Sequence, residues 1–487
     1  MISTTLEEIG ISPDELFEFL QNKRDPLLVF DLRPKDSFVA GHIDGSVHAV
    51  CDTHAKDAIL PRIPKSTKMV LVCDDGTISG ETAQMIKSYG FNDTYFLQGG
   101  IKNWDKDLVI KKEVDSIISA EDLWHELNFK EERNSNLLID VREPNEFSEF
   151  KIPGSINIPL QDLFKSEVVA KIPKDKKIVT ICPQGNRSMV AVFALARNGI
   201  EAKSLFGGLG AWWQVLSAKE IARSDKVKII QVRKVGKGCL SYIISSNGEA
   251  LVIDTVYPVE KYIEIARESG LKIRKVIDTH QHADHISAAK ELARISGADL
   301  LMSAYEQYDF ASRRLKDGDK IQIGSSEVKA IHTPGHTSGS LSYLLDDRYL
   351  FSGDVLFANG IGRPDLRDKA REFAGELYDT LQQLLNLPTN VMVLPAHHAE
   401  DNEEEEEEEV VNSANSLYTT IGKAKGFPLL QPKKKEEFVN TVVKTALPRP
   451  MNYERILQIN KSAVPQKDSE IPELEMGPNR CAINNAS

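Results

Sequence analysis

Residues 181–196 read ICPQGNRSMVAVFALA and place Cys182 between a strand-like run and a helical pattern. The apolar run KIVTI precedes the cysteine, and a loop containing Gly185 separates it from the helical pattern SMVAVFALARNG. Strands and helices that alternate in this way predict a parallel sheet covered by helices. Ligands of such folds bind beyond the carboxyl ends of the strands, so we expect Cys182 to lie where a site would form.

The pattern around Cys182 is the second copy of an internal repeat. SPDELFEFLQ, LLVFDLR, GHIDGSV and FLQGGIKNW are echoed in order by SAEDLWHELN, LLIDVRE, KIPGSIN and LFGGLGAWW. Asp31 recurs as Asp140, and Cys73 recurs as Cys182, in each case 109 residues later. Two copies of one domain therefore occupy residues 1 to about 222.

Each copy also opens with a helix-start signal. Ser12 stands before Pro13, a residue favoured at the first helical position, and Ser119 is followed three residues later by Asp122. The second pattern is that of a capping box. We therefore predict that a helix begins after Ser12 and another after Ser119.

The loop that follows Cys182 is suited to hold an anion. Successive backbone amides and the start of a helix form a positive concavity, and Arg187 adds a fixed positive charge. Such surroundings can lower a cysteine pKa from about 8.5 into the range of about 3.5 to 7.5. A persulfide is anionic on its outer sulfur, so the same amides would stabilise it.

The second repeat resembles the rhodanese (sulfurtransferase) family, whose loop reads Cys-x-x-Gly-x-Arg-Ser/Thr at this position. Cys182, Gly185, Arg187 and Ser188 match the loop. The resemblance implies that Cys182 carries sulfane sulfur, with Cys182 and Arg187 as catalytic residues. The persulfide would lie in the loop formed by Pro183, Gln184, Gly185, Asn186 and Ser188.

The first repeat departs from that pattern. Its loop, CDDGTIS, keeps Cys73 but has Ile78 where the arginine belongs, and it places Asp74 and Asp75 beside the thiol. Carboxylates beside a thiol raise its pKa and repel an anionic donor. We expect the Cys73 loop to be degenerate and to have a structural or interface role; a second, differently tuned sulfur carrier is the alternative.

From about residue 226 the sequence pattern changes and no longer resembles the repeat. CLSYIISSNGEALVIDTV predicts a hairpin turned by Asn247 and Gly248. The segment DTHQHADH then follows an apolar strand, and buried histidines and carboxylates at this density need a metal or hydrogen bonds. Further candidate ligands end later strand-like runs; they are His336, Asp354 and His397.

These motifs resemble the metallo-β-lactamase superfamily over most of residues 230–400, and in particular its glyoxalase II and persulfide dioxygenase branch. Persulfide dioxygenases use one Fe(II), held by the residues that match His280, His336 and Asp354. Two histidines and one carboxylate leave open positions for a persulfide and O₂. The remaining motif residues would orient ligands or move protons; they are His282, Asp284, His285 and His397.

A dinuclear zinc hydrolase remains the alternative, because every ligand of both metals is present. One zinc would use His280, His282, His336 and bridging Asp354, and the other would use Asp284, His285, His397 and Asp354. Two features favour the dioxygenase. GIGRPDL resembles a persulfide dioxygenase segment in which Arg363 and Asp365 would bind substrate, and a persulfide-carrying domain is a fitting partner for a domain that consumes persulfide.

The sequence thus predicts three α/β domains. We expect a degenerate rhodanese-like domain over residues 1–114, an active one over 115–224, and a metallo-β-lactamase αββα sandwich over 225–487. Cys239, in an apolar strand, should pack in the core. A helical tail should cover the active-site face, and residues from Ser462 onward should be irregular.

Composition limits the possible partners. The formal charge is −12, and seven consecutive glutamates from Glu403 to Glu409 are typical of a solvated loop. This balance argues against nucleic-acid binding. No apolar run is long enough for a membrane span, the N-terminus has no signal-peptide pattern, and the five cysteines include no CxxC. We expect a cytoplasmic protein with reduced thiols, which forms a homodimer or homotetramer.

The functional prediction is an enzyme that oxidises a small thiol persulfide with O₂ to sulfite. Cys182 would take up or deliver sulfane sulfur, so that thiosulfate is made or used. A dinuclear zinc thioester hydrolase and a non-catalytic sulfur carrier or sensor remain the alternatives, and a nuclease of the same superfamily is disfavoured by the charge.

Overall fold

The computed structural model of the chain describes residues 6–21, 27–48, 59–110, 116–128, 135–196, 198–364, 369–398, 417–431, 434–444, 452–464, 470–475 and 482–484. It divides into two compact units, Met1–Trp212 and Trp213–Ser487. Within the described residues, no helix has both the length and the apolar character that crossing a membrane requires.

The N-terminal unit contains two parallel five-stranded sheets with the same strand order. The first has the order β1-β5-β4-β2-β3 and the second the order β6-β10-β9-β7-β8. The strands are β1 Gly10–Ile11, β2 Leu27–Asp31, β3 Ser46–His48, β4 Lys68–Val72, β5 Thr94–Leu97, β6 Ile117–Ile118, β7 Asn136–Asp140, β8 Ile156–Asn157, β9 Lys177–Ile181 and β10 Ala202–Leu205.

Helices cover these sheets, as the sequence predicts. Ser12 and Glu15 form a capping box ahead of α2, and the Ser119 hydroxyl accepts a hydrogen bond from the backbone of Asp122 at the start of α5. The helices are α1 Leu6–Ile9, α2 Pro13–Gln21, α3 Lys35–Ala40, α4 Thr77–Ser88, α5 Ala120–Asn128, α6 Pro144–Glu149, α7 Ser166–Val169, α8 Asn186–Ala196 and α9 Gly208–Trp212, with 3₁₀ turns at Leu60–Arg62, Ile101–Asn103 and Leu160–Phe164.

One apolar cluster joins the two repeats. Leu28 and Met69 of the first repeat belong to the same buried cluster as Ile139 and Ile178 of the second. Parallel strands are usually buried on both faces, and the central strands here are almost fully apolar and buried. The two repeats therefore share a core.

The C-terminal unit begins with a seven-stranded mixed sheet of order β11 to β17. β13 and β14 form the predicted hairpin, and Asn247 and Gly248 both have positive φ, of 49° and 77°. β11 precedes the predicted boundary at residue 225. The strands are β11 Leu216–Arg223, β12 Lys228–Lys234, β13 Leu240–Ser246, β14 Glu249–Ile253, β15 Lys272–Ile277, β16 Asp299–Ser303 and β17 Arg313–Leu315.

A second, six-stranded sheet packs on the first through a shared apolar layer, to which Leu251 and Tyr343 contribute from opposite sheets. Its order is β18-β19-β20-β21-β23-β24. The strands are β18 Lys320–Ile323, β19 Ser326–His332, β20 Leu341–Leu345, β21 Tyr349–Gly353, β22 Gly360–Gly362, β23 Met392–Pro395, β24 Thr419–Thr420 and β25 Ala482–Asn484, of which β22 and β25 form a separate pair.

Helices lie on the outer faces of both sheets, which confirms the α/β fold class and the sandwich. The expected irregular end is wrong in part, because β25 pairs with β22 and a short helix, α16, precedes it. The helices are α10 Glu260–Glu268, α11 Ala289–Ser296, α12 Ala370–Leu385, α13 Ile421–Ala424, α14 Lys435–Lys444, α15 Tyr453–Lys461 and α16 Ile471–Leu474, with a 3₁₀ turn at Pro428–Leu430.

Candidate functional site

Cys182 follows β9 directly and is buried at the base of its loop. Its sulfur accepts a hydrogen bond from the Gly185 amide at 3.2 Å and lies 3.3 Å from the Ser188 hydroxyl. Gly185 has φ +95°, a conformation that favours glycine and that turns its amide toward the sulfur. One backbone amide and one hydroxyl thus lie within hydrogen-bond distance of the sulfur, where the sequence predicted several amides.

Gly208 closes the loop from the other side. A Cβ on Gly208 would lie 2.2 Å from the Cys182 carbonyl oxygen, and the next amide, that of Leu209, donates to this oxygen. Only glycine fits at such a distance. The FGGLGAWW segment thus packs its backbone directly against the cysteine loop.

Arg187 is engaged by a carboxylate rather than by the sulfur. Its two terminal nitrogens donate to the carboxylate of Glu146 at 2.7 and 2.8 Å, and its side chain is nearly buried. Although burial raises the pKa of Glu146, hydrogen bonds from Arg187 and from the Glu143 backbone lower it to about 2. This ion pair holds the first turn of α8, the helix that begins where the cysteine loop ends.

The loop after Cys73 also donates hydrogen bonds to its sulfur, but it has no arginine at the position of Arg187. Its sulfur accepts hydrogen bonds from the Gly76 amide at 3.2 Å and the Ser79 amide at 3.4 Å. Asp75 lies 4.0 Å from the sulfur, and Ile78, at the position of Arg187, is 61% exposed. The first repeat therefore has a carboxylate beside its thiol and no fixed positive charge at this position.

A cavity of about 450 Å³ lies between the two repeats beside the Cys182 loop. Gln184 and Asn186 of the loop line it, and Phe38 and His42 contribute from the first repeat. Most of the other lining side chains are apolar. Its size is that of a typical small-molecule site.

The histidine-rich residues of the C-terminal unit converge at one end of its sheets. DTHQHADH follows β15, Asp354 follows β21, and His397 follows β23. Asp254, at the end of the parallel strand β14, joins them. Carboxyl ends of neighbouring parallel strands meet at one edge, and this explains the convergence.

His280, His336 and Asp354 form a first donor set. The Nε2 atoms of His280 and His336 lie 3.7 and 3.5 Å from Asp354 Oδ2. His336 Nδ1 faces the Arg363 carbonyl at 2.8 Å, so its Nε2 points inward. Because a metal binds nitrogen or oxygen at about 2.1 Å, one ion can touch all three atoms.

These donors are buried, and the structure gives two of them no other partner. His280 Nε2 and Asp354 Oδ2 have no hydrogen-bond partner among the described residues. Burial, together with His282 in the case of His280, lowers the pKa of His280 and His336, so both imidazoles favour the neutral form that binds metals. The set therefore fits a metal ion.

His397 lies between two carboxylates. Its Nδ1 is 2.7 Å from Asp354 Oδ1, and its Nε2 is 2.8 Å from Asp284 Oδ2. Burial lowers the pKa of His397, but Asp284 and Asp354 outweigh burial and raise it well above its usual value. His397 Nδ1 is hydrogen-bonded to Asp354, whereas Nε2, although close to Asp284, has no hydrogen-bond partner among the described residues.

Two further donor sets adjoin the first. Cys239 groups with Asp284, His285 and His397, and its sulfur lies 3.6 Å from His285 Nδ1. His282 groups with Asp254 and Asp278, and its Nε2 is 3.3 Å from Asp254 Oδ1. The structure therefore brings all seven predicted metal-motif residues together and places His282 beside residues that the motif reasoning did not include.

The sequence analysis missed Cys239 and Asp254. Cys239 is buried as expected, but its thiol faces the histidine cluster, and the assignment to the core was incomplete. Although burial raises the pKa of this thiol, His285 and His397 lower it to about 7. Asp254 ends an apolar strand in LVIDT, the same signal that marked Asp354.

The predicted substrate residues are only partly described. Arg363 is 1% exposed, and its carbonyl faces His336. Asp365 and the run Glu403–Glu409 lie outside the described residues.

Family models match three parts of the chain. Residues 235–397 match the model described as the metallo-beta-lactamase superfamily. Residues 12–107 and 119–215 match the rhodanese-like domain. Both families inferred from the Cys182 loop and the histidine motifs are thereby confirmed.

Three curated proteins are similar to the chain. A hydroxyacylglutathione hydrolase of Methylobacillus flagellatus is 34% identical over 32% of this chain and 60% of its own length. The probable polyketide biosynthesis zinc-dependent hydrolase BaeB of Bacillus velezensis is 30% identical over 41% and 84%. The mitochondrial persulfide dioxygenase ETHE1 of Bos taurus is 32% identical over 31% and 59%. The chain thus spans about three fifths of the first and third of these relatives.

Proposed function

The chain belongs to the metallo-beta-lactamase superfamily and carries two rhodanese-like domains, and we propose that it oxidises a thiol persulfide with O₂ and transfers sulfane sulfur through Cys182. The similarity to a persulfide dioxygenase supports the first activity, and the cysteine loop supports the second.

The observation that carries the proposal is the donor set formed by His280, His336 and Asp354 in the histidine cluster. His280, His336 and Asp354 Oδ2 face one another as a two-histidine, one-carboxylate set. The Oδ2 atom of Asp354 and the Nε2 atom of His280 have no hydrogen-bond partner among the described residues, as expected of atoms that bind a metal. A two-histidine, one-carboxylate set is typical of Fe(II) oxygenases, and the similarity to a persulfide dioxygenase supports Fe(II) over the two zinc ions of a hydrolase.

The proposed reaction balances with one O₂ and one water. R–S–S⁻ + O₂ + H₂O gives R–SH + SO₃²⁻ + H⁺, so the outer sulfur is oxidised, the S–S bond breaks, and O₂ is reduced. Bound Fe(II) would supply the open positions at which persulfide and O₂ meet.

The protein side chains position that centre. The Arg363 carbonyl fixes the ring of His336, and the Thr279 hydroxyl lies 2.9 Å from His280 Nδ1. His397 Nδ1, 2.7 Å from Asp354 Oδ1, would orient that carboxylate. Arg363 and Asp365 would bind the substrate.

The second activity would occur at Cys182. A Cys182 persulfide that meets sulfite gives Cys–S⁻ + S₂O₃²⁻, and the reverse reaction loads the cysteine. The Gly185 amide stabilises the thiolate that leaves. The cavity between the repeats is lined by Gln184, Gly185 and Asn186 of the loop but not by the 1% exposed Cys182, so the loop would have to shift for the small molecule to reach the sulfur.

Oxygen uptake with glutathione persulfide tests the proposal. His336→Ala should abolish uptake and lower bound iron, because it removes one of three donors. His332→Ala, a histidine only four residues away whose ring stacks on Tyr305 instead, is the matched control and should keep both. A protein that holds two zinc ions, hydrolyses thioesters and consumes no O₂ would refute the oxygenase.

A further inference from the structure

The loop that carries most of the metal cluster has little regular structure of its own. Between β15 and α11, residues 278–288 contain neither helix nor sheet strand, apart from a single bridge at Ser287. All of these residues are buried. Buried backbone groups need hydrogen-bond partners, and here many of them must come from elsewhere in the fold.

Asn460, at the end of α15, supplies three of these partners. Its amide nitrogen donates to the carbonyl oxygens of His282 at 2.9 Å and His285 at 2.8 Å. Its amide oxygen accepts from the Ser287 backbone at 2.9 Å. The side chain is 4% exposed, and both amide hydrogens and the oxygen are used.

Glu475, directly after α16, supplies a fourth. Its Oε1 accepts from the Ile286 backbone at 2.8 Å, and its Oε2 pairs with Lys234. Its own carbonyl oxygen accepts from Lys237 at 2.9 Å. Glu475 and Lys234 are both fully buried, so the pair joins the metal loop to the turn that leads into Cys239.

We propose that Asn460 and Glu475 are positioning residues of the metal centre, which couple docking of the C-terminal segment to metal binding. Together they hold four backbone groups within residues 282–287, in the stretch that presents His282, Asp284 and His285. Such coupling is reciprocal: if the docked segment favours the metal-binding loop, bound metal favours docking by the same free energy.

The inference rests on the proposed function only in taking the cluster as a metal site. The test is the binding of Zn²⁺ and Fe²⁺ by the full chain, measured by competition with a chelator and without persulfide or O₂. This measurement separates the positioning role from the dioxygenase activity. If metal binds but no O₂ is consumed, the dioxygenase fails while the positioning role can still stand.

Asn460→Asp tests the coupling. The aspartate keeps the oxygen that accepts from Ser287 but replaces two donors with a charge that faces two carbonyl oxygens. Residues that orient metal ligands typically contribute about 10- to 100-fold in metal affinity, and we expect a loss of this size. Asn440→Asp, on the exposed face of α14 where its side chain contacts Arg371, is the matched control and should bind as the wild type does.

Hydrogen exchange on the unmodified chain gives a second readout that needs no variant. Metal should slow amide exchange in peptides covering 453–461 and 470–475. Wild-type affinity in folded Asn460→Asp, or exchange in these peptides that is the same with and without metal, would overturn the proposal.

Discussion

At the scale of single residues, the two cysteine loops differ mainly in charge. Cys73 and Cys182 end equivalent strands and accept a hydrogen bond from equivalent glycine amides. Arg187, two residues after Gly185, is replaced in the first loop by the exposed Ile78. In that loop Asp75 lies 4.0 Å from the sulfur. The first loop therefore has a carboxylate near its sulfur, whereas the second has the Arg187–Glu146 ion pair at the start of its helix.

Paired serine variants test this difference. Cys182→Ser should abolish thiosulfate sulfurtransferase activity, by at least about 10³-fold, because the nucleophile is lost. Cys73→Ser, the same change in the equivalent loop, should leave that activity within about twofold. Sulfur transfer that depends equally on both cysteines would show that the first loop is not degenerate.

The Glu146–Arg187 ion pair predicts a pH dependence of stability. The pKa of Glu146 is about 2 in the folded protein, against an ordinary 4.5, so its contribution is complete above pH 4.5 and is lost as the pH falls toward 2. Glu146→Gln should therefore lower the urea midpoint most at neutral pH. The difference from wild type should narrow below pH 4.5, whereas exposed Glu167→Gln should show little difference at any pH.

At the scale of elements, the close approach of Gly208 to the Cys182 carbonyl should be the least tolerant point of the second repeat. Gly208→Ala places a Cβ 2.2 Å from that oxygen, whereas Gly154→Ala meets nothing within 4 Å. Both glycines have positive φ, 59° and 78°, so about 1–2 kcal/mol of backbone strain is common to both variants.

The clash should cost Gly208→Ala about 1–3 kcal/mol more than Gly154→Ala, together with loss of sulfur transfer. Urea unfolding of the two variants measures the difference. Equal stabilities would mean that the Cys182 loop can move away from the FGGLGAWW segment and is not rigid.

The elements that the sequence predicted are those that local interactions decide. The Ser12 and Ser119 caps and the turn at Asn247 and Gly248 depend on residues a few positions apart. The orientation of the Cys239 thiol does not depend on local sequence, because its contact with His285 joins residues 46 apart. Asn460 contacts His282, His285 and Ser287 of the metal loop, which lie 173 to 178 residues before it in the sequence.

At the scale of the whole molecule, repetition and motif order gave the sequence most of its predictive power. The repeat predicted two equal sheets, and the histidine motifs predicted where one sandwich would gather its ligands. The grouping of Cys239 and Asp254 with those ligands needed the distances in the structure. The boundaries at residues 114 and 224 and the oligomeric state stay predictions.

The central claim is that one iron serves a persulfide-oxidising centre in a chain that also transfers sulfur. Metal content of the full chain, purified without air, tests it most directly when the oxygen-uptake rate with glutathione persulfide is measured on the same samples. We expect one iron per chain and an uptake rate that rises in proportion to iron, with sulfite formed in equal amount to the O₂ used. Two zinc ions per chain in the active protein, with thioester hydrolysis and no O₂ uptake, would contradict the account.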